Sequence, residues 1–219
     1  MELTVIRSED FDLTGDGSAV AWQQAEWQVM RHVTEGPEPY ETKCKVLYSD
    51  KGLYVLVHCE DRHLTCTITE DMANIFQEDV VEIFVDPGHA QSGEQRVYFE
   101  YELSPLNVEL AVMVPNHAGI FHGWLPWNYD GDRKVRHATS IIGGERKRMA
   151  TCEGWQAECF IPFALLKGLA NAEPSSGTRW RANIYRIDHD NGTINHWAWS
   201  PETGSGFHDF RNFGTLVFE

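Results

Sequence analysis

The hydrophobic and polar residues of this chain alternate over many short runs. In VVEIFVD (80–86), every second residue from position 81 is aliphatic, and the intervening positions place Glu82 and Phe84 on one face. A two-residue period is typical of a β-strand, whose successive side chains point to opposite faces. The Pro-Gly pair at 87–88 ends the run, because proline has no N–H for the ladder and glycine tolerates turn dihedrals.

Similar runs recur along the chain, separated by polar turns. They predict strands at 3–7, 42–49, 53–60, 80–86, 96–103, 108–114, 134–142, 147–151, 155–161, 180–188, 194–199 and 214–218. Helical patterns are short, at 18–28 and 162–169. This organisation favours an all-β fold, an antiparallel β-sandwich with jelly-roll or immunoglobulin-like two-sheet architecture and a few helical turns. No repeat or linker divides the sequence, so we expect a single domain over residues 1–219.

One predicted strand, LYVLVHCE (53–60), is apolar on both faces. A strand of this kind lies centrally in a sheet and is covered on each side. The long connections at 36–41, 65–78 and 115–134 are where we expect function, because a rigid sheet presents variable loops.

Charge restricts the possible partners. The chain has 219 residues, with 18 Lys and Arg against 33 Asp and Glu, a formal net charge of −15. A negative field of this size repels nucleic-acid phosphates and anionic lipids, so we expect neither nucleic-acid nor membrane partners. The sequence leaves the oligomeric state open.

The first residues and the cysteines bear on the compartment. MELTVIRSEDFDLTG lacks the basic segment followed by an apolar stretch that marks a signal peptide, so we expect a cytoplasmic protein, or a secreted one whose leader has been removed. The 5 cysteines include no CxxC pair, and several fall in predicted strands. They are therefore interpreted as small core residues rather than as a metal site.

Three predicted strands carry polar residues on one face. Glu82 lies on the first, Glu100 on the second (YFEYELSP, 98–105), and Arg181 and Asn183 on the third (RWRANIYRID, 179–188). Sequential strands usually pair, so their carboxyl groups can share a face. One interpretation is a solvated, salt-bridged surface. The other is a polar floor that binds a ligand.

The 8 tryptophans separate into two groups. Trp124 and Trp127 lie in the loop-like FHGWLPWNYDG, and Trp197 and Trp199 in NHWAWSP. A saccharide site combines aromatic rings, which stack on sugar C–H faces, with polar groups that bind hydroxyls. These four tryptophans are therefore candidates for such a platform, whereas the regular patterns around the other four indicate core positions: Trp22, Trp27, Trp155 and Trp180.

The chain resembles the family 9 carbohydrate-binding modules. The matching segments, in order, are TGDGSAVAW, KVLYSDKGLYVLVHCED, EDVVEIFVDPG, VYFEYELSP, WQAECFIPFALL, GTRWRANIYRID and NFGTLVF. The resemblance implies a β-sandwich that binds saccharides without cleaving them, in carbohydrate catabolism. It also implies that calcium can stabilise the fold, although no calcium ligands follow from the sequence.

The resemblance further implies two aromatic rings that clamp a sugar. The late ring corresponds to Trp199, and the early position, shortly before EDVVE, carries Phe76 in place of tryptophan. Trp124 or Trp127 can replace the missing indole. Glu82, Glu100, Arg181 and Asn183 correspond to the family's polar positions.

Two other functions remain open. The first is a glycoside hydrolase of O-glycosyl bonds with Glu82 and Glu100 as its carboxylate pair, because opposed strand neighbours lie at the separation that retaining enzymes use. The second is a haem-binding redox module with His58 and Met113 as candidate ligands.

Overall fold

The computed structural model describes residues 1–88, 94–201 and 206–219, and at residue 191 the backbone only. Within this part of the chain the fold is almost entirely β. The strands are β1 (Glu2–Arg7), β2 (Gln28–Val29), β3 (Arg31–His32), β4 (Thr42–Tyr48), β5 (Gly52–Glu60), β6 (Val80–Asp86), β7 (Gln95–Leu103), β8 (Glu109–His117), β9 (Ile120–Phe121), β10 (Leu125–Pro126), β11 (Arg136–Ile142), β12 (Gly154–Pro162), β13 (Arg179–Asp188), β14 (Asn195–Ala198) and β15 (Gly214–Phe218).

The strands form two sheets. The first has the order β10-β8-β7-β6-β13-β15-β1, and the second the order β1-β4-β5-β12-β11. Neighbours along both orders are antiparallel except β1, which runs parallel to β15 through Glu2–Val5 and parallel to β4 through Ile6–Arg7. The predicted antiparallel β-sandwich is confirmed, and β1 belongs to both of its sheets.

The main core lies between the two sheets. It combines the aliphatic residues of β5 with the inner faces of β6 and β13 and with buried indoles such as Trp155 and Trp180. As predicted, β5 is central, between β4 and β12. Its other face is covered as well, because Tyr54 and Leu56 pack against Trp22 of the N-terminal segment.

The N-terminal segment is fixed to the second sheet by one carboxylate. Glu158 of β12 is fully buried and accepts hydrogen bonds from the backbone N–H groups of Thr14 (2.7 Å) and Gly15 and from Trp22 Nε1 (2.5 Å). Several N–H donors on one buried carboxylate compensate for its desolvation. The TGDGSAVAW segment thus packs on the outer face of the second sheet and covers part of it.

The outer face of the first sheet is covered only in part. Val80, Phe84, Tyr98, Val112 and Tyr185 form a second apolar cluster there, beneath loops that precede β6 and β15. The part of this face that the loops leave open is the candidate site.

Some sequence-based boundaries were wrong. The predicted strand at 147–151 is absent apart from an isolated bridge between Thr151 and His63. The two helical patterns form 3₁₀ turns, at Val20–Gln24 and Phe163–Leu166, which confirms the predicted short helical turns. No helix in the described ranges has the length and apolar character needed to span a bilayer.

Candidate functional site

Three carboxyl groups share the outer face of the first sheet. Glu82 of β6 is directly opposite Glu102 of β7, and Glu100 lies two residues before Glu102, opposite Phe84. Because side chains alternate along a strand, all three point away from the core. Each is almost fully buried. They form the floor of a pocket.

The pocket has a volume of about 260 Å³ and a mixed lining. Its floor consists of the three glutamates with apolar residues of β8 and β13, and its walls are mainly aromatic. The lining residues are Phe76, Glu82, Glu100, Glu102, Leu110, Val112, Phe121, Trp124, Ile187, Phe207 and His208. Phe121 is 40% exposed and Trp124 is 37% exposed, so two rings at the rim face water.

Burial controls the protonation of these groups. Desolvation raises the pKa of Glu100 to about 7. It also raises the pKa values of Glu82 and Glu102 well above their ordinary range, and the neighbouring carboxyl groups raise them further. Desolvation lowers the pKa of His208 to about 4, so this imidazole is uncharged at neutral pH. The pocket can therefore both donate and accept hydrogen bonds near pH 7.

Phe207 and His208 form one wall of the pocket, here called the late wall. Side chains that do not line the pocket attach this wall to the sheet. The Arg181 guanidinium of β13 donates to the backbone carbonyls of Phe213 and Arg211 (3.1 Å). The ring of Phe207 stacks on Tyr185, with centroids 4.0 Å apart, and the Tyr185 hydroxyl donates to the Phe207 carbonyl (3.0 Å). The position of this wall thus depends on β13.

Four of the predicted site residues meet in the pocket: Phe76, Glu82, Glu100 and Trp124. Arg181 and Asn183 lie on the same sheet face but are engaged with backbone. Asn183 Nδ2 donates to the Ser200 carbonyl (2.8 Å), and its Oδ1 accepts from the Ser200 N–H (2.8 Å). The structure therefore places both residues where they position a loop rather than line the pocket.

The other three predicted tryptophans lie away from the pocket. Trp127 Nε1 donates to the Leu165 carbonyl (2.9 Å), and its ring packs against the main core. Trp197 is fully buried, and its Nε1 donates to Glu38 (3.1 Å). Neither indole is placed to form the predicted platform.

Trp199 is fully buried between the two sheets. It packs so closely on β15 that a Cβ at Gly214 would come within 2.5 Å of Trp199 Cζ3. An indole enclosed in this way has no free face for stacking on a sugar. Trp27, interpreted from the sequence as a core residue, is instead 36% exposed, because it lies on the outer face of the second sheet.

Sequence reasoning missed several residues that line the pocket. Glu102 could have been predicted, because the alternation that places Glu100 on the outer face places Glu102 there as well. Phe207 and His208 lie in an irregular segment, where no periodicity shows which side chains face the sheet. Phe121 belongs to a two-residue strand, which is too short for its pattern to be recognised.

A larger open groove, about 620 Å³, lies on the second sheet, lined by residues that include Asp10, Asp12, Lys51 and Arg136. It contains charges of both signs, and several are paired: Lys51 Nζ contacts Asp10, and Arg136 Nη1 lies 3.8 Å from Asp12. The smaller pocket contains unpaired carboxyl groups and stacking rings. We therefore regard the smaller pocket as the candidate site.

One group of acids in the described ranges is spaced for a cation. The carboxylate oxygens of Asp61, Asp188 and Asp190 lie within 4.8 Å of one another. The Arg186 guanidinium already donates to Asp61 (3.1 Å) and Asp188 (2.7 Å), and the Tyr40 hydroxyl donates to Asp190 (2.6 Å). Calcium needs about six to eight oxygen ligands. The group therefore fits an ion-pair network around Arg186 better than a calcium site.

The two candidate haem ligands lie on different sheets. Met113 of β8 is buried in the main core, and His58 of β5 contacts Gln156 (3.0 Å between Nδ1 and Nε2) on the outer face of the second sheet. The structure does not bring them together.

Comparisons with known proteins agree with this architecture. A family 9 carbohydrate-binding module from Caldicellulosiruptor kristjanssonii in complex with cellotriose matches with a TM-score of 0.71 and 17% identity, covering 100% of this chain and 94% of that chain. The same organism's module in complex with glucose gives a TM-score of 0.70 and 17% identity, covering 100% and 96%. A putative carbohydrate-binding protein from Bacteroides uniformis gives 0.74 and 16%, covering 100% and 99%.

A sequence search of curated proteins gives no match. The family model described as "Carbohydrate family 9 binding domain-like" matches residues 13–219, nearly the whole chain. This match confirms the resemblance drawn from the ordered sequence segments. The chain therefore belongs to the carbohydrate family 9 binding domain-like family.

Proposed function

We propose that this protein binds a saccharide, without cleaving it, in the pocket above Glu82, Glu100 and Glu102. The observation that carries the proposal is the combination of aromatic walls with a buried polar floor in one pocket. The family description and the cellotriose and glucose complexes of similar folds support it.

The lining matches the chemistry of a sugar. A pyranose ring has an apolar C–H face, which stacks on aromatic rings, and hydroxyls that both donate and accept hydrogen bonds. Phe76, Phe207 and Trp124 provide rings from three separate segments. The carboxyl groups, with their raised pKa values, provide donors and acceptors together near neutral pH.

Titration calorimetry with a panel of mono- and oligosaccharides tests this proposal. We expect dissociation constants of roughly millimolar to micromolar, or about −4 to −8 kcal/mol. Phe207→Ala should weaken binding about tenfold or more through lost stacking, whereas Trp27→Ala, which removes an exposed indole on the other sheet, should not change it. No heat with any saccharide of the panel would contradict the proposal.

A glycoside hydrolase is the weaker alternative. Glu82 is opposite Glu102, whereas the predicted partner Glu100 lies on the diagonal. A retaining hydrolase needs one ionised nucleophile beside one protonated acid. Here burial raises the pKa of every carboxyl group on the floor, and no lysine or arginine in the described lining favours an ionised nucleophile. NMR of bound oligosaccharides over time should show no cleavage; cleavage that Glu82→Gln abolishes would establish the enzyme.

A further inference from the structure

The pocket has an excess of carboxyl groups, with no lysine or arginine in the described lining to balance them. Glu82, Glu100 and Glu102 lie on one floor, and none of the lining residues in the described ranges is lysine or arginine. His208 stays uncharged near neutral pH, because its burial lowers its pKa to about 4. Burying carboxylates without a counter-charge costs much free energy; here protonation and one backbone hydrogen bond, from Phe76 to Glu102, reduce that cost.

Among the described residues, three arginines lie on the same sheet face, and all are engaged elsewhere; Arg179 pairs with Glu2 at the surface. Arg181 donates to the backbone carbonyls that position the late wall. Arg96 lies 3.6 Å from Asp86 through Nε and stacks its guanidinium over Phe210 at 5.5 Å. These cations are thus held by contacts outside the pocket. A cationic ligand would supply the counter-charge that the described lining lacks.

Two floor oxygens are also without donors. Glu100 Oε2 and Glu102 Oε2 are buried and receive no hydrogen bond from an N–H or hydroxyl group of the described residues. Their carboxyl groups lie close enough to share a proton, which relieves only part of their repulsion. An ammonium group offers three N–H donors and a positive charge, whereas a sugar hydroxyl offers a single donor and no charge.

The walls suit the same ligand. Phe76, Phe207 and Trp124 surround the floor with aromatic faces, which attract cations as well as sugar C–H groups. From this juxtaposition we propose that the pocket binds an amino sugar whose amine is free, with the ammonium group on the three glutamates and the pyranose ring between the aromatic walls. This inference rests on the proposed function and names its ligand class.

An acylated amine would not compensate the charge of the floor. An N-acetyl group is neutral, so it leaves the carboxyl groups uncompensated, and its amide carries a single N–H donor. The inference therefore separates three sugars of nearly the same shape: glucosamine, glucose and N-acetylglucosamine, together with their β-1,4-linked oligomers.

Titration calorimetry at pH 6.5 with these three sugar series tests the inference. We expect the free-amine series to bind roughly ten- to hundredfold tighter than the other two, as charge-assisted hydrogen bonds require. Glu82→Gln and Glu102→Gln should reduce this preference towards unity. Glu109→Gln, which removes a buried carboxyl group from the inner face of β8, should keep it. Circular dichroism shows whether each variant folds. If only one of the two floor variants folds, that variant is sufficient for the test.

A second measurement is the number of protons released when the ligand binds. Ammonium binding favours ionised carboxylates, so titrations in buffers of different ionisation enthalpy should show proton release with glucosamine but not with glucose. Equal or tighter binding of glucose overturns this inference and leaves the proposed function standing. Failure of all three series overturns the proposed function itself. Spermidine binding as tightly as the amino sugar would overturn the saccharide assignment, because it would show an amine site without sugar recognition.

Discussion

At the scale of single residues, the unusual feature is the carboxyl triad of Glu82, Glu100 and Glu102. Most buried carboxylates in this protein have donors, as Glu158 does. The triad has less: the Phe76 backbone bonds to Glu102, but Glu100 Oε2 and Glu102 Oε2 receive no N–H or hydroxyl donor from the described residues. A site that must bind a polar ligand keeps such unsatisfied groups at a cost in stability.

That cost predicts an unusual dependence of stability on pH. Glu100 has a pKa of about 7 in the folded protein and about 4.3 unfolded, so between these values the folded protein holds more protons. Stability is therefore lost as pH rises through this window. We expect the free energy of unfolding, from guanidinium titrations, to fall by on the order of 1–3 kcal/mol between pH 4.5 and 7 through this group.

The Glu100→Gln variant is the control for this effect. Asp61, with its pKa raised by burial to about 6, and Asp79, raised to about 9, act in the same direction and remain in the variant. The difference between wild type and variant therefore isolates the triad. If the two proteins had parallel stability profiles from pH 4.5 to 7, the assigned protonation would be wrong.

At the scale of elements, the buried Arg186 joins the two sheets. It lies on β13 of the first sheet and donates to Thr42 Oγ1 (3.0 Å) of β4 and the Glu60 carbonyl (2.7 Å) of β5 in the second. It also pairs with Asp61 and Asp188, and all three side chains are fully buried. A planar guanidinium can reach these partners together, whereas a lysine ammonium cannot.

We therefore expect Arg186→Lys to lower the free energy of unfolding by about 3 kcal/mol, because buried charges lose their partners. Arg179→Lys, on the same strand, provides the matched control: Arg179 pairs with Glu2 at the surface, and the change should cost roughly 0.5 kcal/mol or less. Chemical denaturation measures both. A cost for Arg186→Lys no larger than that of the control would refute the joining role.

The sequence predicted the elements better than the site. Alternating or continuously apolar runs were sufficient for β4 to β8. Alternation also placed Glu82 and Glu100 on one face, because it follows directly from strand geometry. It could not show that Trp199 faces the core and Phe207 the pocket. Those orientations depend on how irregular segments cross the sheet, and such crossings leave no periodic pattern. The run at 147–151 was also predicted as a strand, but its backbone forms only an isolated bridge.

At the scale of the whole molecule, β1 and the core make the two sheets interdependent. β1 completes the ladder of both sheets, and the main core contains side chains from each. Neither sheet keeps its apolar face covered without the other. This interdependence supports the prediction of a single domain.

It also predicts a single cooperative transition on heating. Near-ultraviolet circular dichroism reports the packed aromatic side chains and the far-ultraviolet signal reports the sheets, and we expect their midpoints to coincide. The calorimetric and van't Hoff enthalpies should agree for the same reason. Two resolved transitions would show instead that the sheets unfold separately.

The division of the pocket between sheet and loop has a consequence for how recognition can change. The acidic floor belongs to β6 and β7, whereas β13 holds the wall: Tyr185 bonds to the Phe207 carbonyl, and Arg181 bonds to the Phe213 carbonyl at the end of the same segment. A new ring-bearing segment grafted at 206–213 would remodel the opening while the scaffold beneath stayed intact. Substitutions in this segment would thus change which ligand shapes fit, and substitutions on the floor would change which ligand charges bind, each independently of the other.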